Sequence, residues 1–591
     1  MSRNLCLCRE VRLTDTQGRF KMYDSYLKLL CFGALAIFAT WLAQLSIQWS
    51  KHRRQYKDLV RRRGRIFIHV PSLPTSCLPP CLGFVTCLPT DRCQPCPPHS
   101  FFWGHLKEMG LIMKEFPDDV HPQVAMARLG EKYELGPVFY VDLWPIATPM
   151  MIIQDPGIAA QVTQTTSLPK HTLNRQFLRN MTGEKSIVTS EGAEWKLLRT
   201  MFSPGFAPNY LMSLVPDIVL KHLEVFRHRL QQVAIVGETI KLQERAVNAT
   251  VDVIGEIVLG KNLNSQNSCS SLVENFRRTI SWAGSSMDII ARTKSLLPQW
   301  WYCRLLDRDI KKAIIERYEA RAFDDNGNKT AVDLALRAYR QDKFGTSAKG
   351  PKGSNALDDD FMLIAVNNIK TILLGGHDTT ATTIAYVIFL LYTHPDILAR
   401  VRAEHDSIFT SDLHKAASLL SSTPTLLHNL PLTTACISES LRLFPAGSTL
   451  RMALPSSPIQ TVPHPTTGRP LPLQNHVLWV SHYGIGRRED LWEDPLAFKP
   501  DRFLPGHKQP KDAFRSFEKG PRACLGEGLA MMEMKIVLVL VCREFDFEAA
   551  YAPDAPRADE RFGGHHYPMV ALGPKPAGGM PMRVKLRHAI V

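Results

Sequence analysis

The 591-residue sequence predicts a mainly α-helical domain with small peripheral β-sheets, preceded by a single N-terminal transmembrane helix. Three observations lead there. Long apolar runs bounded by Pro, Gly and Asp dominate the second half of the chain, as helices do. Alternating β-branched stretches are few and short. An apolar run near the N-terminus is followed by a basic cluster.

That run, Leu29 to Leu45, reads LLCFGALAIFATWLAQL. Extended to Tyr26 and Trp49 it matches the roughly 20 residues a spanning helix needs. Tyr26, Trp41 and Trp49 supply interfacial rings. Residues 1–70 hold 14 Lys/Arg and 4 Asp/Glu, a net +10 that leaves +5 of the chain's +15 for everything else. The basic excess therefore belongs to the membrane flank, and nucleic-acid binding loses its support. Because the stronger basic cluster, Lys51 to Arg65, follows the apolar run, the rest of the chain is expected in the cytosol. In a eukaryote this means the endoplasmic reticulum membrane, crossed once. A cleaved signal peptide fits poorly, since its basic residues would precede the apolar run. The sequons at Asn180, Asn248 and Asn328 would then face the cytosol.

The chain divides into a short tail (1–25), the anchor (26–49), a basic linker (50–65), a Cys/Pro-rich segment (66–96) and one large domain (97–591). The fourth piece has no helical or strand period and reads as a linker or a translated intron. Five of the 13 cysteines crowd there and the rest are scattered, as in a reducing compartment. Cys93-Gln-Pro-Cys96 has the spacing of half a zinc site, but no second Cys-x-x-Cys or His pair accompanies it and zinc is not expected.

In the large domain, Val138 to Ile153 reads as a strand pair. Helices are expected over Pro204–Val233, Leu242–Leu259, Cys269–Ala291, Asp307–Arg321, Asp358–His394, Asp396–Ile408, Pro431–Phe444 and Glu527–Val541. Asp324 to Asn355 reads as a mobile surface loop. Strands return at Val477–Val480 and between Met569 and Leu586, the latter turning at Ala577 to Met580.

Near the C-terminus the chain reads Phe517-Glu-Lys-Gly520-Pro-Arg522-Ala-Cys524-Leu-Gly526. Glycines bound the loop and permit a tight path around one sulfur. Loop N–H groups and the N-terminus of the following helix stabilise a thiolate. The pattern Phe-x-x-Gly-x-Arg-x-Cys-x-Gly resembles the haem-binding signature of the cytochrome P-450 superfamily of haem-thiolate monooxygenases. The resemblance implies the P-450 fold and haem b, with Cys524 as the axial thiolate on iron, Phe517 shielding the sulfur, and Arg522 on a propionate. Thiolate ligation favours O–O cleavage.

Other motifs follow the family's order from Trp195 to Gly526. Trp195-x-x-x-Arg199 resembles its propionate-binding helix, with Pro204-Gly-Phe206 after it. Arg451 matches another propionate position, ranked behind Arg522 and Arg199. Gly375-Gly376-His377-Asp378-Thr379-Thr380 interrupts a long apolar helix with poor helix formers and suggests a local distortion. It resembles the oxygen-activation motif, which implies proton delivery by Asp378 and Thr379 as the catalytic pair and room for a flat ligand at Gly375 and Gly376. Glu439-x-x-Arg442 and Arg502 resemble the family's structural triad. Gly375 stands where alanine is usual and Ala523 where asparagine is common.

By the same resemblance, residues 170–190 form a loop before Trp195 that lines an apolar pocket with Ala446–Leu450 and the Gly578 turn. It offers Phe177, Leu178, Met181, Ile187 and Met580. The implied reaction takes electrons from NADPH through a flavoprotein reductase, with cytochrome b5 as a further donor, and hydroxylates or epoxidises a lipophilic small molecule. The motif wording resembles fungal microsomal members of natural-product pathways. A haem-thiolate isomerase or dehydratase, which needs no reductase, and a non-catalytic haem protein are the alternatives.

Overall fold

A computed structural model describes residues 40–54 (42 excepted), 94–268, 270–283, 289–321, 329–344, 358–413 and 415–587. The tail, most of the anchor, and most of the basic and Cys/Pro-rich segments lie outside them. Residues 43–54, the end of the anchor and the start of the basic linker, are helical. Among the described residues no single helix is long and apolar enough to cross a membrane.

The chain forms two compact units. Of the described residues the small one takes 40–54 (42 excepted), 94, 98–104 and 143–147. Inside it Trp49 stacks on Phe102 and meets Phe101 edge-on, and Arg53 Nη2 donates to the Trp144 carbonyl at 2.6 Å.

The large unit holds the helices α1 (Pro122–Lys132), α2 (Thr172–Thr182), α3 (Gly192–Phe202), α4 (Leu220–Val236), α5 (Leu242–Leu259), α6 (Ser271–Ser281), α7 (Ile289–Arg321), α8 (Ala331–Phe344), α9 (Asp359–Thr393), α10 (Pro395–Phe409), α11 (Pro431–Leu443) and α12 (Glu527–Val541). The strands are β1 (Val138–Val141), β2 (Met150–Ile153), β3 (Thr239–Lys241), β4 (Thr449–Arg451), β5 (Thr461–Pro463), β6 (Pro470–Pro472), β7 (Val477–Val480), β8 (Phe545–Ala549), β9 (Pro568–Met569), β10 (Lys575–Pro576) and β11 (Pro581–Leu586).

The axis of the unit is α9, 35 residues or about 50 Å long. Asp358 caps it by accepting the Phe361 N–H at 2.7 Å, with Asp359 and Asp360 in the first turn where the helix dipole favours acids. It stops before Pro395. Its flank packs on α5, where a Cβ on Gly376 would lie 3.0 Å from Ile254. Thr250 adds a cross-helix bond to the His377 carbonyl at 2.8 Å. A four-stranded sheet runs β1-β2-β7-β4, antiparallel except for the β2–β7 pair, and a second runs β3-β11-β8. Helices outnumber these short strands, as the sequence predicts.

Five expectations are corrected. Pro204–Val233 is not one helix: Pro204, Pro208 and Pro216 break it into short turns before α4. Cys269–Ala291 shortens to α6, and α7 begins well before Asp307. The surface loop expected over Asp324 to Asn355 contains α8. There Thr330 and Asp333 bond reciprocally (Asp333 N–H to Thr330 Oγ1, 3.2 Å; Thr330 N–H to Asp333 Oδ2, 2.7 Å), and Val332, Ala335 and Tyr339 are buried. The loop expected over 170–190 contains α2.

Candidate active site

The Phe517–Gly526 loop folds back on itself. The Cys524 N–H donates to the Phe517 carbonyl at 2.8 Å and the Ala523 N–H to Gly520 at 3.0 Å. Gly520 has φ +84°, and a Cβ there would stand 2.8 Å from the Thr163 carbonyl, so only glycine fits. Gly526 does not follow that reasoning: its φ is −92° and a Cβ would meet no protein atom. It borders a cavity of about 340 Å³ that Cys524 also lines, and its missing side chain keeps space open there.

Cys524 is exposed by surface area, yet that surface lines the cavity. Burial pushes its thiol pKa up, while hydrogen bonds from the Gly526 and Glu527 N–H groups and the charge of Arg199 act the other way. Of the described cysteines only Cys524 lines this cavity. Phe517 lines it beside the sulfur and packs on the core.

Across the cavity runs α9. It passes through Gly375–Thr380 as unbroken α-helix, so the expected distortion is absent; the local change is one of hydrogen bonding. Thr379, which lines the cavity, donates its Oγ1 hydroxyl to the Gly375 carbonyl at 2.7 Å. A Cβ on Gly375 would meet nothing within 4 Å. Asp378 turns elsewhere. Its Oδ1 accepts Lys575 Nζ at 2.7 Å and Gln243 Nε2 at 3.1 Å, and it lines a smaller side cavity of about 210 Å³. Thr379 and Gly375 border both spaces, so the acid and the alcohol share a cavity without touching.

Cations collect at one end. Arg199 Nη1 donates to the Ala523 carbonyl at 2.9 Å. Arg522 lies over the Trp195 ring at 4.0 Å, pairs with Glu191 and donates to the Ser190 carbonyl at 3.1 Å. Arg451 is fully buried, and none of its three guanidinium nitrogens has a partner; neither has Trp195 Nε1. Arg451 carries unmet donors, whereas Arg522 and Arg199 also have protein acceptors.

Glu439, fully buried, receives Arg442 through two bonds of 2.7 Å, Arg502 Nε at 3.0 Å and the Lys499 N–H at 2.9 Å. Arg442 also donates to the carbonyls of Gly486, Pro495 and Ala497. This knot ties α11 to the segment leading into the Cys524 loop.

The sequence and the fold agree with what known proteins show. A family model described as Cytochrome P-450 matches residues 95–577. The chain is 35% identical over 506 residues to cytochrome P-450 monooxygenase acrF of Aspergillus aculeatus, covering 80% of this chain and 99% of that one. It is 30% identical to cytochrome P-450 monooxygenase polC of Polytolypa hystricis (83% and 89% covered) and 30% identical to ptmG of Penicillium ochrochloron (84% and 91%). The crystal structure of the cytochrome P-450DA haem domain superposes with a TM-score of 0.66 at 19% identity, over 84% of this chain and 97% of that one. The chain belongs to the cytochrome P-450 family and is a cytochrome P-450 monooxygenase. Its cofactor is haem b, its iron held by a cysteine thiolate.

The cavity fits that group. The Cys524 thiol, alone among the described cysteines, faces it, Gly375 and Gly526 leave its edges clear, and buried donors on Arg451 and Trp195 lack acceptors that propionates supply.

The lining also corrects the pocket expected from sequence. Ile187 lines the main cavity and Leu178 the side cavity, but Met181 is buried and Phe177 is partly exposed, lining neither. Met580 is drawn into the core, where its carbonyl accepts the Leu242 N–H and Tyr551 meets its sulfur at 3.5 Å. Leu572 to Pro574, just before β10, border the side cavity instead of the Gly578 turn. Lys170 and Phe206, both within segments the motifs single out, also line the main cavity, as do Ile254 and Ile372, which carry no sequence signal of their own.

Proposed function

We propose that this protein is a membrane-bound monooxygenase that hydroxylates or epoxidises a lipophilic small molecule in fungal secondary metabolism, with Cys524 as the iron ligand. What carries the reading is one cysteine aimed into an apolar-walled cavity opposite Gly375 and Thr379. Haem, when bound there, supplies the activation of dioxygen. Ile187, Phe206, Ile254 and Ile372 offer the substrate apolar surface and keep water out. Arg451, with Arg199 and Arg522 around it, neutralises the propionate end, and Trp195 Nε1 offers it a hydrogen bond. The electron donor is an NADPH-dependent flavoprotein reductase, with cytochrome b5 as a further donor. The placing in secondary metabolism rests on the similarity to the fungal monooxygenases.

The side chains of Asp378 and Thr379 serve proton delivery. Thr379 holds its hydroxyl at the cavity, and Asp378 stands one residue away beside the side cavity and Lys575. Proton relays of this kind contribute on the order of 10²–10⁴ in rate. Thr379→Ala should leave haem binding and electron uptake intact while more of the reduced oxygen leaves as hydrogen peroxide. Product, NADPH and peroxide measured together with a reductase give the coupling. Unchanged coupling in both Thr379→Ala and Asp378→Asn would take this helix out of proton delivery.

For the membrane reading the support is the apolar run, the basic cluster after it, and the exposed Trp41 and Ile47 on the described part of the helix. Protease added to intact microsomes should digest the large domain. Full protection, or a glycan on Asn180, would mean the opposite orientation.

A further inference from the structure

A pocket of about 680 Å³ opens between the C-terminal end of α2, the middle of α7 and the first turns of α9. It shares no lining residue with the Cys524 cavity or with the side cavity. Its volume falls within the roughly 300–1,000 Å³ of small-molecule sites. The walls are apolar yet reach solvent: Leu296, Leu297, Trp300 and Leu363 line the pocket and are all exposed, Leu297 at 78%. The base is polar and buried, made by Lys370 and Asn367 of α9. A face that only rests on another surface gains nothing from polar groups at depth, because burying them costs free energy unless something bonds them.

Those groups are under-used. Asp307 Oδ1 stands 2.6 Å from Lys370 Nζ, yet it is off the line of a hydrogen bond and makes none. The hydrogen bond that Lys370 Nζ does make is a weak one, 3.7 Å to Cys303 Sγ. Asn367 sits against Gly183, whose φ is +78° and where a Cβ would come within 2.2 Å of the amide oxygen. The charges are also out of balance. Arg179 is paired with Glu184 at 3.0 Å and Lys370 with Asp307, which leaves Lys185 and Arg304 in the lining with no ion pair among the described residues. Arg304 lies 4.9 Å over the Trp300 ring and so holds its charge against the apolar wall. The pocket thus combines a greasy wall, a surplus of positive charge and buried donors with capacity to spare.

We propose that this pocket is a second ligand site, for a lipophilic molecule that carries a carboxylate. The chain of the ligand lies along Leu296, Leu297, Trp300 and Leu363, and its carboxylate takes hydrogen bonds from Lys370 and Asn367, with Arg304 as the further cation. The site stands apart from the oxygen chemistry and does not depend on which substrate the Cys524 cavity accepts.

The probe is 12-bromododecanoate, whose bromine quenches a tryptophan that it touches. The difference between wild type and W300F isolates Trp300 from the other nine tryptophans. In the full-length holoprotein, held in nanodiscs of unlabelled phospholipid, quenching of Trp300 should saturate and should weaken as salt is raised. It should leave the Soret band in place at the concentrations that fill the pocket. R304Q and K370M should each weaken binding about 10-fold, as the loss of a hydrogen bond to a charged group does. The uncharged 12-bromododecanol should bind at least as much more weakly. K312Q, which changes an exposed lysine of α7 outside the pocket, should bind as wild type does. If K370M does not fold, R304Q decides, because the Arg304 side chain is exposed. Equal affinity for the acid and the alcohol overturns the proposal, as does wild-type binding by R304Q, or a loss in K312Q equal to that in R304Q. Nanodiscs of brominated phospholipid supply the remaining outcome. Quenching of Trp300 by the bilayer, with no saturable uptake of bromododecanoate, would assign this face to the membrane and overturn the site.

Discussion

Cys524→Ala is expected to abolish the thiolate-type Soret band of the ferrous carbon-monoxide complex, and all substrate oxidation with it. The effect is total because no other described cysteine lines the cavity. Cys436→Ala and Cys542→Ala should keep the band. Both thiols are fully buried in the core, and burial pushes Cys542 up to about 12 and Cys436 well above its ordinary value. Neither ionises near neutrality, and neither opens on a space that holds a ligand. Retention of the band in Cys524→Ala would place the iron elsewhere.

The contrast among these cysteines explains what the sequence could and could not reveal. Cys524 is legible because its neighbours are constrained for backbone reasons: Gly520 must hold φ +84° against the Thr163 carbonyl, and a helix must begin right after the sulfur. The helices α5, α9, α11 and α12 are legible because Asp, Pro and Gly punctuate them. The helices α1 and α2 escape because their caps are histidines. His121 Nδ1 accepts the Gln123 N–H at 3.2 Å and His171 Nδ1 the Leu173 N–H at 3.1 Å. A sequence rule looking for Ser, Thr, Asp or Asn passes over both.

In the site, what failed is long-range. Nothing local to Asp378 announces Lys575, and nothing local to Lys170 announces Arg451. The motif places Asp378 and Thr379 in adjacent positions, but adjacent helical residues point about 100° apart. Whether they meet is decided by what packs on each side, and here Lys575 and Gln243 claim the acid. The likeness of family motifs is therefore a guide to which residues line the cavity and a poor guide to which of them bond each other.

Glu439→Ala should cost about 3–5 kcal/mol of stability, the usual result of removing one partner from a buried ion pair. Arg442 would keep a fully buried guanidinium with its carbonyl acceptors but without its counter-charge, and the Lys499 N–H would lose its acceptor. Arg502 would suffer less, since it reaches the Glu493 and Asp494 carbonyls near the surface. Because the knot fixes the segment that leads into the Cys524 loop, the loss should show first as haem-free protein. Expression in parallel with wild type, with the ratio of Soret to protein absorbance and the thermal midpoint as readouts, checks both. Glu439→Gln keeps an acceptor for Arg442 and Lys499 and should lose less on each measure. A Glu439→Ala protein with wild-type haem content and midpoint would mean that the carbonyls alone satisfy Arg442, and that the triad holds nothing the backbone does not.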